Sequence, residues 1–292
     1  MRLRFCQEPR LNSPILIAGW AAIGGAGVIA VDTVRLATVA DKFAEIDTWG
    51  HLSARSVADM VNDSDVLGNE FFFHRLGYQD LIFFVGQKLP STKEKVHEMT
   101  SLVLDVAEQF QCRRIYTTAA AVSSIHHTTK PKVWIAPNSS ALSNEVIDCP
   151  CTAIAPKKEA MVNDPRELFG VHGVMMEDAR TRGMDLVCLL GEVPNYVARF
   201  PSAPYPKASK SIVETLGAIL GIEINLDQFD ELAKPLEESI DAWVQQLPLE
   251  MRYEIDKLKY VPNEKLIGHN TITDEDKESI LQDVDRFFRR KE

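Results

Sequence analysis

Short unbroken apolar runs alternate along the chain with longer stretches in which apolar residues recur every three or four positions. Ile15-Leu16-Ile17-Ala18, stopped by Gly19, reads as a buried parallel strand. A glycine loop follows, and Val28, Ile29, Val31, Val34, Leu36 and Val39 then suit a helix packed on a sheet. Phe43 to Ile46 reads as a second strand ending at Asp47, and Leu81-Ile82-Phe83-Phe84-Val85, closed by Gly86, as a third. Ser91-Thr92-Lys93-Glu94 has the form of a capping box, and Val96, Met99, Val103, Val106 and Phe110 continue from it at helical spacing. Arg114 to Thr117, Lys132 to Ala136 and Leu186 to Leu190 read as further strands. His172 to Arg182 reads as a helix with Gly183 at its C-terminal cap. Strands alternating with helices predict an α/β fold, with a mostly parallel sheet covered on both faces.

Beyond residue 225 the rhythm changes, which predicts a core of residues 1–225 and a C-terminal helical extension of residues 226–292. Leu226, Phe229, Ala233, Leu236, Ile240, Trp243 and Leu247 are spaced 3, 4, 3, 4, 3, 4. Pro235 falls inside this stripe and is expected to kink or split the helix. Pro248 to Ile272 reads as a polar linker. Thr273 then caps a last helix with an apolar stripe of Ile280, Leu281, Val284, Phe287 and Phe288. Such stripes pack on their own domain or lie in an oligomer or partner interface, and the pattern alone does not choose.

Composition narrows the function classes. The 292 residues carry a formal net charge of −10. From Leu226 onward 17 Asp/Glu stand against 10 Lys/Arg, a net of −7, so the remainder carries −3. No basic cluster is long enough to bind nucleic acid phosphates. The five cysteines form no CxxC pair and fit reduced thiols in the cytoplasm; Cys149-Pro150-Cys151 has the wrong spacing for zinc. The uncharged stretch between Arg10 and Asp32 has the length of a membrane span, but Pro14, Gly19, Gly24, Gly25 and Gly27 interrupt it. Strand, turn and helix explain it better, so no membrane segment is expected.

Candidate chemistry is sparse. Gly25-Ala26-Gly27-Val28-Ile29-Ala30 satisfies G-x-G-x-x-G/A, with Glu45 about 20 residues on, where a ribose-binding acid belongs. The strand stops at Gly19, six residues before Gly25, so a tight strand-to-helix turn is the plainer reading. Glu45 and Asp47 end one strand and Glu192 follows Gly191 at the end of another, where acids can line a crevice at the carboxyl edge of an α/β sheet. Each also has the alternative of a local cap or ion pair. His126 and His127 are adjacent and suit a shared metal poorly; His51 and His172 stand alone. There is no G-x-S-x-G elbow, Walker loop or HExxH motif. No catalytic residue, metal site or cofactor is expected. The candidate ligand-binding positions are Gly19, Gly24, Gly25, Gly27, Glu45, Asp47, Gly86, Gln87, Gly191 and Glu192.

One set of segments carries a family likeness through its order and spacing. It begins with Pro14-Ile15-Leu16-Ile17-Ala18-Gly19, Ile23-Gly24, Gly27-Val28-Ile29-Ala30-Val31-Asp32 and Ala44-Glu45-Ile46-Asp47. Asp80-Leu81-Ile82, Gly86-Gln87, Pro90 and Arg114-Ile115-Tyr116-Thr117 follow. The most telling part is Leu189-Leu190-Gly191-Glu192-Val193-Pro194-Asn195-Tyr196, preceded by His172-Gly173-Val174 and Gly183. Over residues 10–245 the chain resembles the proteasome assembly chaperone 2 family and its bacterial and archaeal homologues. The resemblance implies a three-layer α/β/α sandwich like that of nucleoside phosphorylases, commonly as a homo-oligomer. It also implies an assembly or protein-binding role without established catalysis, with proteasome subunits or another complex as partner. Archaeal relatives engage proteasomes through a hydrophobic-Tyr-any tail, which Arg289-Arg290-Lys291-Glu292 does not match. The first loop also differs, with Ala21-Ala22 and Gly25-Ala26 in place of Pro-Gly and Asn-Val. The alternative reading is an enzyme acting on a nucleoside-like or phosphate-bearing ligand in the strand-end crevice.

Overall fold

The apolar runs become the strands of one nine-stranded sheet, and the periodic stretches become helices on both of its faces. The computed structural model describes residues 1–47, 68–87, 89–90, 92–139, 141–142, 152–154, 170–200 and 203–260. In chain order the elements are β1 (Arg2–Phe5), β2 (Ile15–Trp20), α1 (Ala26–Ala37), β3 (Asp41–Asp47), β4 (Asn69–Arg75) and β5 (Asp80–Gly86). Then come α2 (Lys93–Gln109), β6 (Arg114–Ser123), β7 (Val133–Pro137), β8 (Thr152–Ile154), α3 (Val171–Thr181) and β9 (Leu186–Pro194). The chain continues through α4 (Pro206–Leu220), α5 (Asp227–Val244) and α6 (Leu249–Lys257).

The strand order is β1-β3-β4-β5-β2-β6-β9-β7-β8. The sheet is mixed, not mostly parallel. Four strand pairings are parallel, giving the continuous centre β5-β2-β6-β9 and the edge pair β7-β8. The other four are antiparallel. Connection length explains part of the difference. Residues 76–79 join β4 to β5, too short a link for anything but a hairpin, whereas parallel neighbours need a crossover. β4 itself, with Phe71-Phe72-Phe73 at its centre, is a strand not among those expected from the pattern.

Alternation along the central strands divides the core into two layers. Ile15, Ile17, Phe83 and Val187 face α1, α4, α5 and α6, meeting Val31, Val34, Ile212, Leu216, Phe229, Ile240 and Ile255. Leu16, Ala18, Phe84 and Ile115 face α2 and α3, meeting Met99, Val103, Val106 and Met175. This is the expected three-layer α/β/α arrangement. β9 is buried along its whole length, as a strand covered on both faces must be.

Helix termini depart from the sequence pattern in instructive ways. The N-cap of α2 is Thr92, whose hydroxyl accepts from Lys95 N at 3.4 Å, one residue later than the capping box suggested. Helix α4 starts with Pro206 in its first turn and stops at Gly221 in the left-handed region. Pro235 does not split α5, which runs through it. That position is exposed, so water can satisfy the carbonyl freed by the missing N–H. The expected linker after Pro248 begins instead with α6, anchored by buried Ile255. Helices α5 and α6 belong to the same compact unit, Met1–Lys259, as the sheet. The last predicted helix from Thr273, together with Cys149 and Cys151, lies outside the described residues.

The tightest contact on the α1 face is backbone against backbone. A Cβ at Gly27 would sit 2.1 Å from the Thr118 carbonyl oxygen of β6. Alanine at a helical glycine normally gains about 1 kcal/mol, but here overpacking outweighs that gain. Gly27→Ala should destabilise the protein by about 2 kcal/mol, measured as a lower urea midpoint; an unchanged or raised midpoint would contradict this packing.

Candidate functional site

The glycine loop connects β2 to α1 through a 3-10 turn, Ile23–Gly25, in which Gly24 and Gly25 take φ of 62° and 58°. Both angles lie in the left-handed region that side chains avoid. The loop faces protein. The Tyr205 amide donates to Gly24 O at 2.8 Å, and a Cβ at Gly24 would be 3.0 Å from Tyr205 Cβ. Thr118 Oγ1 donates to Gly27 O at 3.0 Å and is 3.3 Å from Ala18 O. A Cβ at Gly19 would be 2.9 Å from both Gly27 O and Thr118 Oγ1. These glycines therefore let α1 seat on β2 and β6, and Tyr205 packs against the loop at Gly24.

The candidate acids do not converge. β4 and β5 separate β3 from β2, so Glu45 stands three strand spacings, about 14 Å, from the strand that feeds the glycine loop. It is held locally by Lys42 at 2.7 Å, with Arg4 at 3.8 Å; Arg4 also lies 3.9 Å from Asp47. Glu192 lies on β9, five spacings or about 24 Å from β3. It is 4% exposed and accepts from Lys132 N at 2.9 Å and Trp134 Nε1 at 3.0 Å, fastening the start of β7 to β9. Gly191 sits beneath α4, close to the Ala208 carbonyl. Gly86 ends β5 beneath the Trp20 indole, and Gln87 follows it, half-buried.

The structure assembles a different cluster at the carboxyl ends of β6 and β9, around His127. Its ring is fully buried. The His127 amide donates to Tyr196 Oη at 2.8 Å, and Nδ1 lies 2.8 Å from the same oxygen. Nε2 lies 2.9 Å from Asp241 Oδ1 of α5. One proton arrangement satisfies all three contacts: the tyrosine hydroxyl donates to Nδ1, and Nε2–H donates to the carboxylate. The His127 carbonyl accepts from Lys207 Nζ at 2.8 Å and from Tyr205 Oη at 3.3 Å, while Lys207 also binds Glu237 at 2.6 Å. His126 stacks beside His127 with ring centroids 4.1 Å apart, and its Nδ1 meets Thr128 Oγ1 at 2.7 Å. Adjacent residues diverge on a strand and cannot serve one partner there. In the turn after β6 that argument does not apply. Tyr196, which closes the family-like segment Leu189 to Tyr196, was the one available signal.

Every polar atom of His127 is engaged, so this side chain clasps α5 to the core and is not a free base. Burial pushes the His127 pKa down against the opposing pull of Asp241. Burial, then His127, lowers His126 to about 4, and Lys259, in the turn that follows α6, adds to this while Asp241 and Asp256 oppose it. Burial raises the Tyr196 and Tyr205 phenols well above their usual range. Burial also pushes the Cys188 thiol up to about 12, far from a reactive thiolate. Among the described residues no group of three His, Cys, Asp or Glu side chains could hold a metal, and no helix is long and apolar enough to cross a membrane.

The model of the PAC2 family matches residues 16–244. The chain belongs to the PAC2 family. An uncharacterised protein of Methanocaldococcus jannaschii is 31% identical over 237 residues, covering 80% of this chain and 84% of that protein. Among solved structures, Pyrococcus furiosus PbaB, an archaeal proteasome activator, matches with a TM-score of 0.67 and 25% identity, over 82% of this chain and 97% of its own. P. furiosus PbaA, an archaeal homologue of a proteasome-assembly chaperone, shares the fold at a TM-score of 0.61 and 17% identity, covering 88% of this chain and 100% of its own. A PAC2 family protein of Streptomyces avermitilis does so at 0.61 and 20%, over 82% and 99%. The PAC2 match ends at Val244, the last residue of α5, so both halves of the clasp, His127 and Asp241, fall inside it.

Tyr196→Phe removes the oxygen that serves both His127 N–H and Nδ1, leaving two buried groups unpaired. It should cost about 2 kcal/mol, read from the urea midpoint; a change near zero would show that the hydroxyl is not structural. Acid should act in the same direction. Burial also lowers His172 to about 4, so on acidification the unfolded chain, whose histidines titrate near 6.5, takes up protons first. Stability owed to these neutral rings is complete above about pH 6.5 and is lost as pH falls toward about 4, at about 1.4 kcal/mol per unit for each group. Urea midpoints should decline across that window and decline less steeply in His172→Phe; a midpoint flat with pH would contradict the burial of these rings.

Proposed function

We propose that this PAC2 chain is a protein-binding assembly factor, working in the cytoplasm as a homo-oligomer, with proteasome subunits as its first candidate partner. Family membership across most of the chain supports the role. So does the likeness to PbaB, described as an archaeal proteasome activator, at 25% identity. The observation that carries the reading is the packing of the glycine loop within the chain, Tyr205 against Gly24 and Thr118 against Gly27. In sheets of this class the loop at the strand edge is where a phosphate-bearing substrate would sit. Here the glycines of that loop serve the seating of α1 and its contact with Tyr205. That weighs against an enzyme using a phosphorylated or nucleotide substrate at this loop, because fold alone does not confer chemistry.

The test is affinity capture of the tagged full-length chain from its own host's lysate, read by quantitative mass spectrometry, with light scattering to give the mass of the free protein. A reproducible, near-stoichiometric partner is expected, and proteasome subunits among the hits would specify it. Recovery of this chain alone would overturn the assembly role; a monomeric mass would remove the homo-oligomer.

A further inference from the structure

Helices α1, α2 and α3 end in one backbone motif: the residue after the C-cap turns left-handed, and two N–H groups fold back on the last turn. In α3 that residue is Gly183, whose amide donates to Arg180 O at 3.1 Å while Met184 donates to Ala179 O at 2.9 Å. In α2 it is Gln111, with Cys112 donating to Ala107 O at 2.8 Å. In α1 it is Val39, which donates to Leu36 O at 3.0 Å while Ala40 donates to Arg35 O at 3.1 Å. The three φ angles are 70°, 52° and 53°. Glycine adopts this conformation freely, whereas a β-branched side chain is crowded against its own backbone there. Val39 therefore stores strain, and at 82% exposure it is the most exposed large apolar side chain among the described residues. Packing within the chain does not offset its cost. Strain kept at an exposed position points to a use outside the isolated fold.

Two further apolar groups stand with Val39 at the amino edge of the sheet, where α1 ends. Leu36, one turn back on α1, is 59% exposed, and Tyr78, in the β4–β5 hairpin, is 70% exposed. Asp41 pairs with Phe73 and Arg75 with Asp80, so the turn carrying Val39 lies beside that hairpin. The Tyr78 hydroxyl donates to Leu220 O, at the end of α4, at 2.8 Å, which holds the ring while most of it stays in solvent. Exposed charges of both signs flank the group: Asp41 and Glu223, with Arg75 and Arg10, whose carbonyl accepts from the Arg75 guanidinium at 3.1 Å.

We infer that Leu36, Val39 and Tyr78 form the centre of a twofold contact between two copies of this chain. The inference rests on the proposed homo-oligomer and names the surface that builds it. In a twofold contact one patch meets itself, so its rim must complement itself. This rim does, since Asp41 of one copy can pair with Arg75 of the other and the reverse. A partner of one charge sign would leave half of the rim unmatched. Meeting across the axis also doubles three exposed side chains to six. Each half brings a tyrosine already fixed in place, the kind of anchor on which interfaces depend. Burial against the second copy then offsets the strain at Val39.

Sedimentation equilibrium of the full-length chain over a range of concentrations tests the contact. The wild type should contain an even number of chains. Val39→Asp and Leu36→Asp should halve that number or raise the dissociation constant at least about tenfold. Leu249→Asp, at a position 79% exposed on α6, should leave the mass unchanged. Val39→Gly separates strain from contact: the urea midpoint of the dissociated chain should rise, while association weakens. Because that variant relaxes the backbone, misfolding does not explain its loss of association. A lower midpoint in Val39→Gly would show that no strain is stored there and would remove the ground for the inference. An odd number of chains in the wild type, or an even number that neither Asp variant alters, would overturn this surface and leave the homo-oligomer standing. A monomeric wild type would overturn both. An unchanged mass together with loss of a captured partner protein in the Asp variants would assign the patch to that partner and overturn the self-contact.

Discussion

The close approach of α1 to the sheet governs the geometry of everything stacked on that face. Backbone lies directly against backbone where Gly27 meets the Thr118 carbonyl, and Gly19 on β2 removes the next obstruction. The Thr118 hydroxyl then bonds Gly27 O across the gap. Because α1 sits this low, α4 can pack beside it while Tyr205, at the N-cap of α4, closes over Gly24. A methyl group at any of these points would lift α1 and with it α4 and α5. The glycines that resemble a phosphate loop therefore serve packing.

Apolar contact alone would hold α5 in place only loosely. Its buried stripe consists of Phe229, Ala233, Ile240 and Val244, a surface that says little about register along the helix axis. Polar anchors supply the register: Asp241 to His127, Glu237 to Lys207, and Asp230 to Lys210 at 2.6 Å. The last involves an exposed carboxylate and is worth little by itself. The first differs on the histidine side: the Asp241 carboxylate is also exposed, but His127 is fully buried and Tyr196 and Asp241 satisfy both of its nitrogens. Losing one partner would strand a polar atom away from water. Membership of the PAC2 family extends through this clasp, which ties the C-terminal helices to the α/β core.

The carboxyl edge of the sheet thus has two unlike halves. Beside α1 and α4 the polar groups of the His127 cluster are paired and Tyr205 packs on the glycine loop, although Ser209 Oγ of α4 is buried without a partner. Beside α2 and α3, Asn69 and His172 carry polar atoms that the described protein does not pair. One edge can hold both arrangements because the sheet separates the two helical layers completely, with β2, β5 and β9 buried on both faces.

Much of this was legible in the sequence. Runs such as Leu81 to Val85 and Leu186 to Leu190 are too apolar to be anything but buried, and the spacing from Val96 to Phe110 fits only a helix. These local rules determined the α/β class and the main elements. They could not determine pairing direction, because short hairpins and long crossovers leave the same apolar signature within a strand; hence a mixed sheet where a mostly parallel one was expected. The same limit applies to the candidate residues. Glu45 and Glu192 both sit near strand ends, but strand order places five spacings between their strands. His127, unpromising beside His126 in sequence, acquires its partners from residues 69 and 114 positions away. Periodicity is a property of the chain and could be read from it directly. The partner of a buried polar atom is a property of the assembled layers, so only the tertiary structure decided which glycines pack, which acids pair and which histidine holds the helices together.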